Sequence, residues 1–407
     1  MKKILSLVLA TVLVLSLSVV AFAATSLEGD TVYNGDGKKL GADEYVTVDK
    51  ANTANGEITV SIDPARPNAT YYISLGAMTG NRDLDGTGSK AKIEELVNSD
   101  YFKMKTNKDE GSKYIESIKL STDKKLDGHD VRGAFVVIKV KDSTTTTDLK
   151  ATGSVVFEAK ADSDTYKDTK KAVASTSGWD EDDTLTINYR FWINNRGIDG
   201  EDGEADAGDR VYFDPASNED NVFVWGDDRA ALEFSATDNA GDFYCRLSTA
   251  SNSDIYTTYA DPISADLWFY DFVGKATIPT TSRATLTLGL PWEEDEGPDP
   301  IDCYIYKLED DGTLVDVTDD FTYSDEDAAI PGWSTKTRTL GTFILSDSEL
   351  DIEVADDDTS SDDASVPSTD GDKVIPNTGS SDMVSVAVVA AVVSLAAAGA
   401  VAFKKVK

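Results

Sequence analysis

Short stretches in which apolar and polar residues alternate recur along most of this chain, and they constrain its fold more than any other feature. The clearest, TLTINYRFWI at 184–193, places Leu185, Ile187, Tyr189 and Phe191 on one side. A period of two is typical of strands with one buried face. Clusters of glycine, aspartate and asparagine separate such stretches at intervals of about ten residues. The pattern predicts a mainly β protein built of antiparallel β-sandwiches.

The strand-rich stretches fall into two groups, which predict two β-sandwich domains at 24–161 and 184–290. A polar segment at 162–183 is predicted to link them, and its one large apolar residue, Trp179, to pack the linker onto the second domain. The last strands, at 291–350, predict a small β module. This module either completes the second domain or forms a third domain with a marginal core.

The N-terminus has the composition of a segment that is removed during export. A basic start is followed by an apolar region and by Ala21 and Ala23 in an A-x-A site. This predicts a secretory signal peptide at 1–23, which signal peptidase cleaves after Ala23. The alternative is an uncleaved membrane anchor.

The C-terminus, 375–407, combines a short motif, an apolar run and a basic end. The run at 383–403 holds no charged residue and is long enough to cross a bilayer as a helix. Three lysines follow it, as the positive-inside rule expects of a cytoplasmic end. The motif ahead of the run consists of Ile375, Pro376, Asn377, Thr378 and Gly379.

This arrangement resembles the cell-wall sorting signal of Gram-positive surface proteins, the LPXTG type, with Ile375 in place of the usual leucine. The resemblance implies that a sortase cleaves between Thr378 and Gly379 and joins Thr378 to peptidoglycan. It also implies an exported protein on the cell wall, held by the membrane only before sorting. The resemblance covers this end alone and leaves the role of the exposed part open.

The mature chain is strongly acidic. The two processed ends hold five of the 38 basic and one of the 74 acidic residues, which leaves 33 basic and 73 acidic residues and a formal net charge of −40. Such a surface repels phosphate backbones and disfavours nucleic acid as a partner. It either stays solvated and soluble in an anionic wall or collects divalent cations. The segment at 351–374, nine of whose residues are acidic, predicts a disordered stalk.

Two acidic segments are candidate calcium sites, since calcium prefers oxygen ligands. The first is a predicted loop at 197–209, in which repelling carboxylates would be relieved by a cation; the alternative is a hydrated loop. The second is weaker, because its twelfth position is Lys92 where calcium loops have glutamate; the alternative is a turn before a helix predicted at 89–98. The ligands of the first are Asp199, Glu201, Asp202, Glu204, Asp206 and Asp209, and those of the second Asn81, Asp83 and Asp85.

The two cysteines, Cys245 and Cys303, lie on the apolar phase of alternating stretches, so both are predicted to point into a core. In an exported protein they form one disulfide, or they remain buried free thiols. The single histidine, His129, lies in a polar turn where solvent exposure is expected. Without a nucleophile motif or metalloprotease motif, the sequence predicts no catalytic residue.

The tryptophans offer a route to ligand binding. They are predicted mainly as core residues, with flat platforms for sugar rings as the alternative. The sequence therefore predicts a non-enzymatic adhesive or structural surface protein, whose partners are sortase, peptidoglycan, signal peptidase and a host or matrix protein. The alternatives are a polysaccharide-capturing module and, third, a wall-bound hydrolase. The tryptophans concerned are Trp192, Trp225, Trp268, Trp292 and Trp333.

Overall fold

The structure is a computed structural model, and the residues that it describes lie between 27 and 352. The residues at 1–23 and 375–407, where the signal peptide and the sorting signal are predicted, lie outside the described residues, as does most of the stalk at 351–374. No helix in the described ranges is both long and apolar enough to span a membrane. These ranges, which all belong to a unit that ends at Ala355, are 27–167, 177–292, 297–325 and 328–352.

The N-terminal module consists of residues 27–193 as far as they are described. It contains two five-stranded sheets, with strand orders β2-β1-β5-β10-β9 and β3-β4-β12-β11-β8, and a hairpin of β6 and β7. The strands are β1 (Val32–Tyr33), β2 (Lys39–Leu40), β3 (Val46–Asp49), β4 (Glu57–Ala65), β5 (Thr70–Ala77), β6 (Asn81–Asp83), β7 (Lys90–Lys92), β8 (Phe102–Lys108), β9 (Ile115–Lys124), β10 (Gly133–Val140), β11 (Leu149–Ala159) and β12 (Thr184–Ile193).

The two large sheets of the N-terminal module bury one common core. Alternate residues of β4, such as Val60, meet Ile73 of β5 and Val136 of β10 in a single hydrophobic cluster. The alternation read from the sequence therefore does set which face of each strand is buried. The mainly β character is confirmed.

The C-terminal module consists of residues 196–352 as far as they are described. Its sheets have the orders β13-β15-β18, β14-β16-β17-β21-β25-β24 and β19-β20-β26-β22-β23. The strands are β13 (Arg196–Gly200), β14 (Asp202–Ala205), β15 (Val211–Pro215), β16 (Asp220–Trp225), β17 (Ala230–Ser235), β18 (Phe243–Tyr244), β19 (Arg246–Ser248), β20 (Leu267–Val273), β21 (Ala284–Gly289), β22 (Tyr304–Leu308), β23 (Leu314–Asp316), β24 (Thr322–Ser324), β25 (Gly332–Thr337) and β26 (Thr342–Ser346).

All three sheets of the C-terminal module contribute to one core. Phe213 of β15, Leu232 of β17 and Phe272 of β20 belong to the same cluster. The strands from the segment at 291–350 complete sheets begun earlier in this module, since β25 pairs with β21 and β26 pairs with β20.

Helices in the described residues are short. The helix predicted at 89–98 is reduced to one turn, because 90–92 forms β7 instead. A second cluster, with Tyr259 and Phe269, packs the helical segment at 253–260 against the sheet that contains β20. The helices are α1 (Ile93–Leu96), α2 (Ser163–Lys167), α3 (Ser253–Ile255) with a π-helical turn (Tyr256–Ala260), and 3₁₀ turns at Ala42–Glu44, Thr53–Asn55, Ser112–Tyr114, Pro300–Asp302 and Thr318–Asp320.

The predicted placement of the segment at 184–193 in the second domain is wrong. This segment is β12, which pairs antiparallel with β11 and parallel with β4 inside the N-terminal module. Its apolar face, with Ile187 and Phe191, belongs to the N-terminal core. The sheets are also mixed, since β13 with β15 and β14 with β16 are further parallel pairs. Alternation identifies a strand and its buried face, but it does not identify the neighbouring strand.

The segment at 162–183 does not link the two modules. Trp179 is 2% exposed and packs on the N-terminal core, with its ring centroid 5.0 Å from that of Phe102. Its indole N–H donates to the carbonyl oxygen of Ala161 at 3.1 Å. The segment therefore returns the chain to β12 of the same module.

The connection between the modules is only two residues long, Asn194 and Asn195, and it is held by the β10–β11 loop (141–148). Asn195 is 2% exposed, and its side-chain amide donates to the carbonyl oxygens of Ser143 at 3.1 Å and Thr145 at 2.7 Å. On the same loop, the Asp142 carboxylate accepts hydrogen bonds from both terminal nitrogens of Arg210. The loop of one module is thus fastened to the other.

Replacing the buried junction amide should weaken the whole fold. Asn195→Ala removes the donor of two hydrogen bonds to half-buried carbonyl oxygens, each worth about 1 kcal/mol, and it should lower the free energy of unfolding by about 2 kcal/mol. Urea denaturation measures this. Asn107→Ala, which removes an exposed amide that donates to Ser154 at 3.1 Å, should cost less than about 0.5 kcal/mol. Equal effects of the two substitutions would refute the structural role of Asn195.

Candidate functional site

The acidic segment predicted as a loop at 197–209 is largely strand. Residues 196–200 form β13 and 202–205 form β14, so its carboxylates spread along two sheets. Two of its glycines serve close packing, since a Cβ at Gly197 would lie 2.7 Å from the Tyr212 hydroxyl and one at Gly203 2.4 Å from the Phe223 ring. Asp209 is paired with Arg196 at 2.8 Å. The prediction of a loop is wrong because glycines needed for packing against aromatic rings have the same composition as loop glycines.

Asp199 instead lies beside two carboxylates that the sequence did not single out, Asp214 and Asp242. Asp199 and Asp214 are directly paired across the parallel strands β13 and β15. Burial, and then the charges of Asp199 and Asp242, raise the pKa of Asp214. In the described residues no group of three or more acidic, histidine or cysteine side chains has an arrangement able to hold a metal ion. Calcium binding by the predicted residues stays a prediction.

In the weaker calcium candidate, Asp83 and Asp85 have structural roles. Asp83 pairs with Lys90 at 3.2 Å across the β6–β7 hairpin. The Asp85 carboxylate accepts hydrogen bonds from the backbone N–H and the hydroxyl of Thr184, at 2.5 and 3.0 Å. Asp85 thus fixes the start of β12, while Asn81 lies at the start of β6.

Cys245 and Cys303 are both buried and free, so the predicted alternative of a disulfide is not what the structure contains. Burial raises the pKa of the Cys303 thiol to about 12 and that of the Cys245 thiol further. His129 is 8% exposed, contrary to expectation, and its ring packs edge-on against Tyr33 with centroids 4.9 Å apart. Its Nε2 lies 3.2 Å from the carbonyl oxygen of Gly37. These groups serve packing.

The tryptophans serve mainly in packing, which agrees with their prediction as core residues and not with the alternative of sugar-binding platforms. Trp225 and Trp333 are buried, and Trp192 is half-buried beneath the Lys150 ammonium. Half-buried Trp268 and Trp292 meet edge to face with ring centroids 4.6 Å apart. The two rings are inclined by 62°, so they do not form a flat pair of platforms.

A cleft of about 390 Å³ in the C-terminal module is lined by three lysines in an otherwise acidic protein. All three ammonium groups already have partners. Lys275 pairs with Asp310, Lys307 with Glu309 at 2.7 Å, and Lys336 donates to the Thr285 hydroxyl at 2.5 Å. Carboxylates thus neutralise two of the three ammonium groups, whereas the Thr285 hydroxyl leaves the positive charge of Lys336 in place.

The stronger candidate is an open groove of about 620 Å³ in the N-terminal module, called the Tyr45 groove below. Loops around 34–45 form one side and the segment at 62–71 forms the other. The groove combines apolar, aromatic, acidic, basic and amide side chains. It is lined by Asn34, Gly35, Asp36, Leu40, Asp43, Glu44, Tyr45, Ile62, Pro64, Arg66, Asn68, Ala69, Thr70 and Tyr71.

Tyr45 is the residue that the local sequence holds out toward solvent. It ends the 3₁₀ turn Ala42–Glu44 in a left-handed conformation, with φ 60° and ψ 28°. Its side chain is 61% exposed. The left-handed region is unfavourable for a bulky residue, so the turn must hold it there. An exposed aromatic ring thus lies at the edge of an open groove.

Glu44 fixes the turn that presents this ring. Its carboxylate accepts a hydrogen bond from the backbone N–H of Gly41 at 2.9 Å and pairs with Lys38 at 2.9 Å. The hydrogen bond from Lys38, and then that from Gly41, lower the pKa of Glu44. Glu44 therefore acts as an ionised structural cap.

Arg66 forms the opposite side of the groove. Its backbone N–H donates to the Tyr71 hydroxyl at 2.8 Å, and its guanidinium donates to the carbonyl oxygen of Asn194 at 3.2 Å. Burial lowers the pKa of Arg66, but a guanidinium stays charged in proteins. One of its five N–H groups has this protein partner, so the others remain available to a ligand.

Asp43 and Asn68 complete the polar lining. Both are exposed, and their side chains have no hydrogen-bond partner among the described residues. The groove therefore offers free acceptors, free donors and one aromatic face together. No sequence pattern indicated this site, because its two sides come from separate segments and neither contains a binding motif.

The repulsion among Asp199, Asp214 and Asp242 can be tested by removing one of the three charges. Asp214→Asn should raise the free energy of unfolding at pH 7 by about 0.5 kcal/mol, since it removes repulsion between exposed like charges. A pKa raised by folding means that ionised Asp214 weakens the fold above that pKa. The gain should therefore shrink as the pH falls and be nearly absent by about pH 3, below the ordinary aspartate pKa of about 3.9, where most of the aspartate is protonated in the unfolded chain too.

Urea titrations at about pH 7 and about pH 3 measure this difference, with Asp238→Asn, a change at another exposed aspartate, as the matched control. A gain that is the same at both pH values, or that appears equally in the control, would contradict the repulsion.

The groove is not assigned by similarity. No known protein family, curated protein or solved structure matches this chain, so its function has to follow from its own chemistry.

Proposed function

We propose that this chain is a surface protein of a Gram-positive bacterium, joined to peptidoglycan by a sortase, whose two β-sandwich modules bind a ligand without catalysis. The sorting signal at 375–379, with the apolar helix predicted at 383–403, supplies the attachment. The stalk predicted at 351–374 extends the modules from it. In this proposal export depends on the signal peptide at 1–23.

The observation that supports a binding role is the Tyr45 groove. A tyrosine that is 61% exposed borders an open cavity with free polar groups on both sides. Pockets that bind small molecules combine an apolar lining with a few polar groups that fix orientation. An adhesive function requires such a surface and needs no reacting group.

A polysaccharide-binding role is the second candidate, and the chemistry of the same groove favours it. An aromatic ring face beside carboxylate, amide and guanidinium groups suits a ligand with an apolar face and a rim of hydroxyls. The two tryptophans that pack edge to face, Trp268 and Trp292, support this candidate less, because their rings are inclined by 62° and form no flat platform.

A hydrolase is the least supported of the three. Glycoside hydrolysis needs a protonated carboxyl and an ionised one on opposite sides of the bond that is cleaved. In the Tyr45 groove, Glu44 is ionised and serves the 3₁₀ turn. Asp214, whose pKa is raised, lies beside Asp199 on a neighbouring strand of the same sheet.

The attachment is tested in cells. The wild-type chain should enter the wall fraction and be released by muramidase with peptidoglycan fragments on Thr378. Thr378→Ala removes the residue that the sortase joins to the wall, and it should move the protein to the membrane fraction with residues 379–407 still attached. Mass spectrometry of both fractions measures this.

Thr369→Ala, a change outside the motif, serves as the control and should leave wall attachment unchanged. Covalent wall attachment of Thr378→Ala at the wild-type level would overturn the proposal.

A further inference from the structure

We propose that the Tyr45 groove binds a neutral polysaccharide, with the Tyr45 ring stacked on a sugar and Arg66, Asn68 and Asp43 bonded to its hydroxyls. This inference rests on the proposed surface-binding function and names the ligand class of that site.

The backbone at Tyr45 is in the left-handed region, which is unfavourable for a bulky side chain. Ten described residues other than glycine have positive φ, and seven of these are aspartate or asparagine, which tolerate that conformation. Tyr45 is the aromatic residue in this set. Because the turn could be made more easily with asparagine or glycine, the ring itself is the feature that needs explanation. Strained positions of this kind concentrate at binding sites.

The second step is the exposure of the ring. A tyrosine supplies a large and rigid contact area while losing few rotamers on binding. At 61% exposure, most of its surface is available to a ligand. A sugar ring has an apolar face of C–H groups that can cover such a surface and keep its hydroxyls in contact with polar groups.

The third step is the match of donors and acceptors. A hydroxyl group both donates and accepts hydrogen bonds. Asp43 supplies acceptors, Arg66 supplies donors, and the amide of Asn68 supplies both. A ligand rich in hydroxyls satisfies all three side chains, whereas an apolar ligand would leave the Arg66 guanidinium without water or partner.

The fourth step is charge. Asp36, Asp43 and Glu44 line the groove with Arg66 as its one basic side chain, and the mature chain carries a net charge of −40. This field repels polyanions such as uronic-acid polymers. It does not act on a neutral glycan, so the neutral class is the one that fits.

The extent of the groove suggests a chain rather than a single sugar. The Arg66 guanidinium donates to the carbonyl oxygen of Asn194, one of the two residues that connect the modules. The polar surface thus continues from the groove toward the junction. A polymer can follow that surface.

The test is native affinity electrophoresis of the full chain in nonionic detergent. Each gel contains one soluble polysaccharide: galactomannan, mixed-linkage β-glucan, arabinoxylan, dextran or, as the polyanion, polygalacturonate. We expect at least one neutral polymer to retard the wild-type chain and polygalacturonate not to retard it. Tyr45→Asn keeps the left-handed turn and removes the ring, so it should weaken binding by about tenfold or more.

Two variants control the experiment. Tyr45→Phe keeps the ring and should bind within about threefold of the wild type. Ile301→Asn changes a residue of the C-terminal module that is 77% exposed, and it should bind like the wild type. Circular dichroism melting curves establish that all variants are folded.

Absence of retardation by every neutral polymer would overturn the inference, as would stronger binding to polygalacturonate or equal binding by Tyr45→Asn and the wild type. Wall attachment through Thr378 is measured separately. It can hold while every gel is negative, so failure of the ligand class and failure of the proposed surface display are distinguishable.

Discussion

The structure depends on the way in which β12 is buried. This strand lies between β4 and β11, with its apolar side chains in the N-terminal core, and it ends two residues before the next module begins. A connection of two residues allows little freedom between the strands that it joins. The hydrogen bonds of Asn195 and the ion pair of Arg210 with Asp142 then fasten the β10–β11 loop across the same boundary. The strand that completes one core thereby also fixes the start of the other.

Where it is regular, alternation in the sequence identified strands and the faces that they bury, but it missed short strands such as β7, β13 and β14 and could not identify strand partners. The segment at 184–193 shows both results. Its buried residues are the ones the period of two selects, while its parallel pairing with β4 joins positions more than 120 residues apart. Nothing local specifies that pairing, because parallel neighbours are set by the path of the whole chain. The polar composition of 162–183 likewise describes a surface crossover and a linker equally well.

The candidate sites also differ in whether local sequence or the pairing of distant segments determines them. Local patterns predicted buried cysteines and mainly packed tryptophans, since both follow from hydrophobicity. They missed the neighbours of Asp199, because Asp214 and Asp242 reach it through strand pairing. They also missed the Tyr45 groove, because a tyrosine in a short turn carries no sign of its φ angle and the opposite side of the groove lies some twenty residues away in sequence.

The acidic net charge of the protein limits the kinds of ligand that the Tyr45 groove can bind. Several of the charged groups discussed above hold the fold: Asp85 fixes the start of β12, Glu44 caps a turn, and two of the three lysines of the C-terminal cleft pair with carboxylates. The negative net charge attracts cations and repels anions, and it exerts no net long-range attraction on a neutral ligand. The proposed binding of a neutral ligand would therefore depend on short-range contacts, for which an exposed ring and unpaired polar groups are suited. Tyr45 supplies that ring, and it is placed at a backbone position where the chain elsewhere mostly uses aspartate, asparagine or glycine.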